Sequence, residues 1–558
     1  MRSVSAAVLM IVTGISAAAA EGWPAPRTLS FASDWKTARA ALPLIPQPAP
    51  AADGLSAVTA FATERFPAVA ESPVPVLLPY ALGDDAFDRG TDDINPVETY
   101  LSGFKSTRFF FAGPTGYDAT FTLRTQDVPG FSDIGFRDPV VVQISAFNIL
   151  YDLPEANGVT VWPAGEIAKE FPGIRRAILE HTLRYSFERF GIPYVVSIQC
   201  FDSPQRRARL SCRNADRIGL RFLRALRMVG GDPSIPVAAA PPAIPRPDAR
   251  SDAFRYHPAG KLVAGSGMRA PAGNPDSTVY ARIRFPAAAA PAYVNTQTFR
   301  KRGGLVIAWA PAAAGAEEAT PISKQYVWRD NFCERRDFAV GQCPSGRGHQ
   351  GQDILGPTCE PGPRKRDCPS NHDGVVAARD GMIQRESWNE SFSLVTNAPG
   401  ERLRFRHLHM HPRKLDADGI ASGRRVREGE TLGTIGNYNR RPGMTTTHLH
   451  FEMQVPTRDG WVRVNPYMTL VASYEHLIGA RGSEVAEPLR AAGVAAPENG
   501  NAGAGEAPVK TAAVVTAASV KVAASIDKKK PRIKKGGKAT TKNRGKTRFA
   551  RVQGRKRR

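Results

Sequence analysis

His448-Leu449-His450-Phe451-Glu452-Met453-Gln454-Val455 alternates strictly between polar and apolar residues. Period two is the mark of a β-strand, so His448, His450, Glu452 and Gln454 share one face and Leu449, Phe451, Met453 and Val455 form a packed row on the other. About a hundred residues earlier, Gly348-His349-Gln350-Gly351-Gln352-Asp353-Ile354 sets a histidine and an aspartate four positions apart. The glycines there let the backbone turn and approach closely. Two imidazoles and a carboxylate make the donor set of a catalytic zinc site that keeps its fourth position for water. The pattern points to a zinc hydrolase.

Seven of the ten histidines fall in residues 326–475: His372, and clusters at His349, at His407, His409 and His411, and at His448 and His450. A lone histidine is usually structural, but clusters beside glycine turns and an alternating strand favour a metal site. Other chemistries fit poorly. Gly346-Arg347-Gly348-His349-Gln350-Gly351 spells G-x-G-x-x-G, yet no apolar strand precedes it and no helix pattern comes after it. There is no H-E-x-x-H and no G-x-S-x-G.

The ends of the chain set its compartment. Residues 1–20 read as a secretory leader: Arg2, then an apolar stretch, then Ala18-Ala19-Ala20 before Glu21. No later segment offers ~18 uninterrupted apolar residues, which predicts a soluble, exported protein of the periplasm or cell envelope. Six cysteines allow 15 pairings. Their spacing, Cys200/Cys212, Cys333/Cys343 and Cys359/Cys368, favours three short-loop disulfides in an oxidising compartment. The formal charge is +23, and residues 528–558 alone hold 16 Lys/Arg and no acid. Such a block has nothing to bury and predicts a disordered arm. It would be drawn to anionic envelope polymers or lipid head groups, or be a bland solvated tail. Nucleic acid is not expected as a partner, because it conflicts with export.

At 558 residues the chain predicts several domains. Residues 21–54 read as a Pro/Ala-rich linker and 55–231 as an α+β domain of unreadable function. Residues 232–250 read as a second linker, and 251–325 as a small β-module or an extension of the catalytic domain. Residues 326–475 hold the site, and 476–558 form the tail. Within 55–231, strands are expected near 74–78, 108–112, 140–144 and 194–199. Amphipathic helices are expected near 175–191 and 214–229, the first carrying Ile178, Leu179, Leu183, Phe187 and Phe190. His181, on that first helix, is expected to be structural.

Residues 346–470 resemble the lysostaphin/LytM-type zinc metallopeptidases, a likeness over about a quarter of the chain. The shared pattern runs in order: H-x-x-x-D at His349 to Asp353, an aromatic-x-His strand at Phe405 to Met410, glycine-rich turns from Val426 to Gly436, and H-L-H-F-E at His448 to Glu452. The resemblance implies a β-rich, antiparallel catalytic domain after the α+β domain. It implies that His349, Asp353 and His450 hold one Zn²⁺ per chain, with His448 and a middle-strand histidine as catalytic groups. Residues 405, 407, 409 and 411 share a face at period two, so His407 and His409 both stand as candidates, His409 preferred. An insertion between Ile354 and Val375, carrying Cys359 and Cys368, exceeds the usual family turn. The implied mechanism is attack by zinc-activated water, with His448 or His409 handling the proton and the oxyanion. Glu452 is expected to support a ligand imidazole. The implied activity is an exported zinc endopeptidase hydrolysing peptide bonds of peptidoglycan. The alternatives are a non-catalytic LytM-like protein that binds wall or activates another wall hydrolase, and an envelope-binding protein led by its tail. Non-catalytic members typically lose ligands; His349, Asp353, His448 and His450 are all kept.

Overall fold

The alternating segment is a strand, Leu449–Thr457, and it sits inside an eight-stranded sheet. The computed structural model describes residues 22–42, 54–80, 101–124, 136, 139–157, 159–200, 210–236, 243–262, 273–295, 298–301, 304–307, 327–359, 368–386 and 390–485. Leu449–Thr457 pairs on one side with Gln352–Leu355 and on the other with Arg404–Leu408. The sheet continues through Phe392–Val395, Gly381–Arg385 and Arg425–Val426, with Tyr293–Val294 at the opposite edge. Gly460–Val464 folds back on the second half of the central strand. All these pairings are antiparallel. The apolar row behaves as the alternation requires: Leu449, Phe451, Met453 and Val455 join Phe405, Ile354 and the helix Tyr467–Ile478 in one buried core.

A second, seven-stranded antiparallel sheet is built from residues 105–199. Its order is Lys105–Gly113, Gly116–Leu123, Val140–Phe147, Ile192–Gln199, Thr182–Arg189, Arg175–Leu179 and Thr160–Trp162. The helix Cys212–Ala225, capped by the Ser211 hydroxyl on the Asn214 N–H, shares its core. It ends earlier than its pattern suggests, and Arg227–Gly230 becomes a strand paired with Val76–Leu78. The helix expected at 175–191 does not exist. Arg175–Leu179 and Thr182–Arg189 form a hairpin, turned by Glu180 and His181 at φ 53° and 60°. Two consecutive left-handed residues are the turn that matches the twist of paired strands.

The two sheets meet face to face. Phe109, Phe111 and Val195 of one pack with Met382, Val395 and Trp461 of the other. At the same junction Asp118 and Arg402, both inaccessible to solvent, form an ion pair at 2.6 Å. Gln143, Ser145 and the Trp461 indole also donate to that carboxylate. Described residues on both sides of 232–250 therefore fall in one compact unit. The stretch expected as a first linker contributes a strand, Thr28–Ser30, and a helix, Trp35–Ala40. Past residue 475 the chain adds Arg481–Glu484, parallel to Arg250–Tyr256. Disulfides join Cys200 to Cys212, Cys333 to Cys343 and Cys359 to Cys368. Among the described residues no helix is long and apolar enough to cross a membrane. The leader at 1–20, the basic tail and residues 360–367 of the Cys359/Cys368 insertion lie outside the described residues.

Candidate metal centre

Register builds the site. Asp353 stands directly opposite His450 in the antiparallel pair, so both side chains leave the same face. His349 enters on the turn just before that strand. Gly348 and Gly351 are required there, since a Cβ on Gly348 would meet the Cys333 backbone at 2.6 Å and one on Gly351 the Phe451 carbonyl at 2.1 Å. His349, Asp353 and His450 bring one ligand atom each to within 4.8 Å of one another, all buried. Asp353 Oδ1 lies 3.3 Å from His349 Nε2 and 3.1 Å from His450 Nδ1.

Each imidazole is oriented from behind. His349 Nδ1 donates to the Asn331 carbonyl at 2.9 Å, which leaves Nε2 bare toward Asp353. His450 turns its Nε2 to Glu452 Oε1 at 3.3 Å and its Nδ1 inward. His448 Nδ1 donates to the Thr446 carbonyl at 2.8 Å, and its Nε2 is 3.4 Å from Asp353 Oδ1. His409 Nδ1 donates to the Tyr438 carbonyl at 2.8 Å, and its ring lies 4.5 Å from that of His448. Protonation depends on these surroundings. Burial raises the Asp353 carboxyl, but the imidazoles of His349 and His448 outweigh it and hold the group well below the usual range. Burial pushes His448 down to about 4 and, with the neighbouring His448 and His450, holds His409 well below its ordinary value. His450 goes up despite burial, because Asp353 and Glu452 flank it. An ionised carboxylate, a bare Nε2 and an imidazole held where positive charge is favoured fit a divalent cation well.

The two middle-strand candidates part company. Arg404–Leu408 alternates, and His407 falls on its core side, opposite Phe451, with its ring stacked on Phe392 at 4.7 Å. Burial pushes its pKa down to about 3. The structure therefore corrects the placement of His407 as a site candidate. The strand ends at Leu408, opposite His450, and His409 adopts φ 71°. That left-handed residue breaks the period, and His409 joins the cluster. Glu452 is fully buried, with Arg463 Nε at 2.7 Å and Arg406 Nη1 at 2.8 Å on its two oxygens. Sequence reasoning missed both arginines. A lone Arg463 inside Gly460-Trp461-Val462-Arg463-Val464 was the available signal, since a cation in a buried strand demands a carboxylate.

The buried histidine cluster on an antiparallel sheet, in this motif order, resembles the LytM-type arrangement. Residues of this chain are 29% identical over 129 positions to the peptidoglycan DD-endopeptidase ShyC of Vibrio cholerae, covering 22% of this chain. The match spans 24% of that relative's length. A solved chain from Ruminococcus gnavus, assigned provisionally as a glycyl-glycine endopeptidase lytM, matches at 25% identity over 25% of this chain and 50% of its own. Its TM-score of 0.18 is too low to speak for a shared overall fold. No protein-family model matches the chain.

Proposed function

We propose that this chain is an exported zinc-dependent endopeptidase that hydrolyses peptide bonds in peptidoglycan. The observation that carries the reading is the convergence of His349, Asp353 and His450 beside two neutral imidazoles, His448 and His409. The likeness to a peptidoglycan DD-endopeptidase supports the substrate class. His349 Nε2, Asp353 Oδ1 and His450 Nδ1 would hold the ion. When bound, zinc supplies Lewis acidity that acidifies water and polarises a carbonyl. His448 and His409 keep their protons on Nδ1, against backbone carbonyls, and so present bare Nε2 atoms as proton acceptors. An imidazole that has taken the proton of the attacking water gains an N–H with which to hydrogen-bond the oxyanion and then to protonate the leaving amine. Glu452 does not act as the base; both its oxygens are occupied by arginines and it orients His450.

The test uses the whole chain on isolated sacculi, with and without chelator, with products identified by mass. Release of peptide-cleaved fragments that stops with chelator and returns with zinc is expected. A zinc-loaded chain that binds sacculi without cleaving them would favour the wall-binding alternative.

A further inference from the structure

Glu180 links the region of residues 55–231 to the supports of the metal centre. Glu180, at the turn of the Arg175–Leu179/Thr182–Arg189 hairpin, has its carboxylate almost wholly buried, at 1% exposure. Its Oε2 takes Arg463 Nη1 at 2.7 Å. The same guanidinium gives its Nε to Glu452 Oε2 at 2.7 Å, and Glu452 Oε1 faces Nε2 of His450 at 3.3 Å. Glu180 Oε1 points the other way and accepts the Gly341 N–H at 3.4 Å. Gly341 belongs to the loop closed by Cys333 and Cys343, whose Cys333 N–H donates to the His349 carbonyl at 3.0 Å. One carboxylate thus touches the supports of two separate ligands.

Resting on the zinc reading, we infer that Glu180 is a positioning residue of the metal centre, fixing His450 through Arg463 and Glu452 and bracing the loop that leads to His349. The physical reason is the geometry of a guanidinium. Arg463 can hold Glu452 in one orientation only while its second edge is also held, because a planar fork with one edge free rotates about its stem. Arg184, whose Nη2 lies 3.8 Å from Glu180 Oε2, adds a second buried cation. Without Glu180, the Arg463 guanidinium would lose one of its two carboxylates and Arg184 a buried counter-charge, and Arg463 would no longer hold Glu452 against His450 in one orientation. Partners behind a metal ligand typically change metal affinity ~10–100-fold. Glu180 lies one link further out, so the expected loss is about tenfold, the lower end.

The experiment measures zinc affinity of the full chain by competition with a chromophoric chelator, and the visible absorption of the cobalt-substituted chain. The variants are Glu180→Gln, Arg463→Lys and Thr115→Val. Glu180→Gln is nearly isosteric, and Arg463→Lys keeps the charge but cannot bridge two carboxylates. Thr115→Val removes a bond to the Asn397 side chain across the same junction and touches neither the relay nor the Cys333–Cys343 loop. Both relay variants should weaken zinc about tenfold and shift the cobalt bands, while Thr115→Val should do neither. Zinc affinity within ~2-fold of wild type in Glu180→Gln, or an equal loss in Thr115→Val, would overturn the inference and leave the zinc reading standing. A wild-type chain that takes up no zinc overturns both.

Discussion

Replacing His448 with alanine separates metal binding from turnover. The imidazole is 3% exposed, fixed by the Thr446 carbonyl at Nδ1, with Nε2 aimed at the site. Its main chain is held independently, since the His448 N–H donates to the Gly436 carbonyl at 3.0 Å. Truncation should therefore leave the register and the three ligand atoms in place, and metal analysis should still find one zinc per chain. A positioned acid–base group contributes ~10²–10⁴-fold. The His409 ring, 4.5 Å away, is close enough to take over part of the proton handling, which argues for the lower half of that range. The expected loss in kcat is ~10²–10³-fold, or about 2.7–4.1 kcal/mol at 1.36 kcal/mol per decade. Because the contribution arises during reaction, kcat and kcat/KM should fall together. The assay is release of product from a soluble cross-linked muropeptide, monitored by chromatography. Joint replacement of His448 and His409 should lose less than the product of the single losses. Activity within ~3-fold of wild type, or loss of zinc from His448→Ala, would refute the assigned role.

Alanine at His349, Asp353 or His450 should abolish tight zinc binding, because each removes one of three protein ligands; elemental analysis after dialysis would show it. His407→Phe should keep zinc and stay within ~3-fold of wild-type turnover, since that ring packs on Phe392 on the core side of its strand; a dead, zinc-loaded variant would reverse the placement. Asp118→Ala should cost about 3–5 kcal/mol in chemical denaturation by leaving Arg402 buried without its partner. Burial raises the Asp118 carboxyl, but Arg402 and Arg404 outweigh it, so its folded pKa is lowered. The contribution is therefore complete above the unfolded value of ~3.9 and lost as pH falls through the folded value. The gap between wild type and Asp118→Ala should stay constant from pH 7 to 5 and narrow in stronger acid.

The site was legible where chemistry and period agree. His349, Asp353 and His450 stand out because ligand types recur on a turn and on one face of an alternating strand, and the register then pairs Asp353 with His450. The choice between His407 and His409 was not legible from alternation, because it depends on φ 71° at a non-glycine residue after the strand has ended. The false helix at 175–191 has a related cause. Leu179, Leu183 and Phe187 are spaced by four, which satisfies a helix stripe and a strand face equally. Leu183-Arg184-Tyr185-Ser186-Phe187-Glu188 does alternate as a strand should, with Leu183, Tyr185 and Phe187 in one core, and that period-two signal lost to the spacing of four. The arginines around Glu452 and the reach of Glu180 depend on contacts between residues up to 283 apart in sequence, which no local pattern encodes.

The shared face between the two sheets bears on modularity. A peptidase sheet that buries its outer surface against its own helix can be moved between proteins as a cassette. Here, severing the chain at 232–250 would bare Met382, Val395 and Trp461 on one piece and Phe109, Phe111 and Val195 on the other. It would also strand Arg402 without Asp118. Each piece would carry a greasy, half-charged wall that favours self-association over folding alone. A chimaera built from this chain should therefore carry both sheets together.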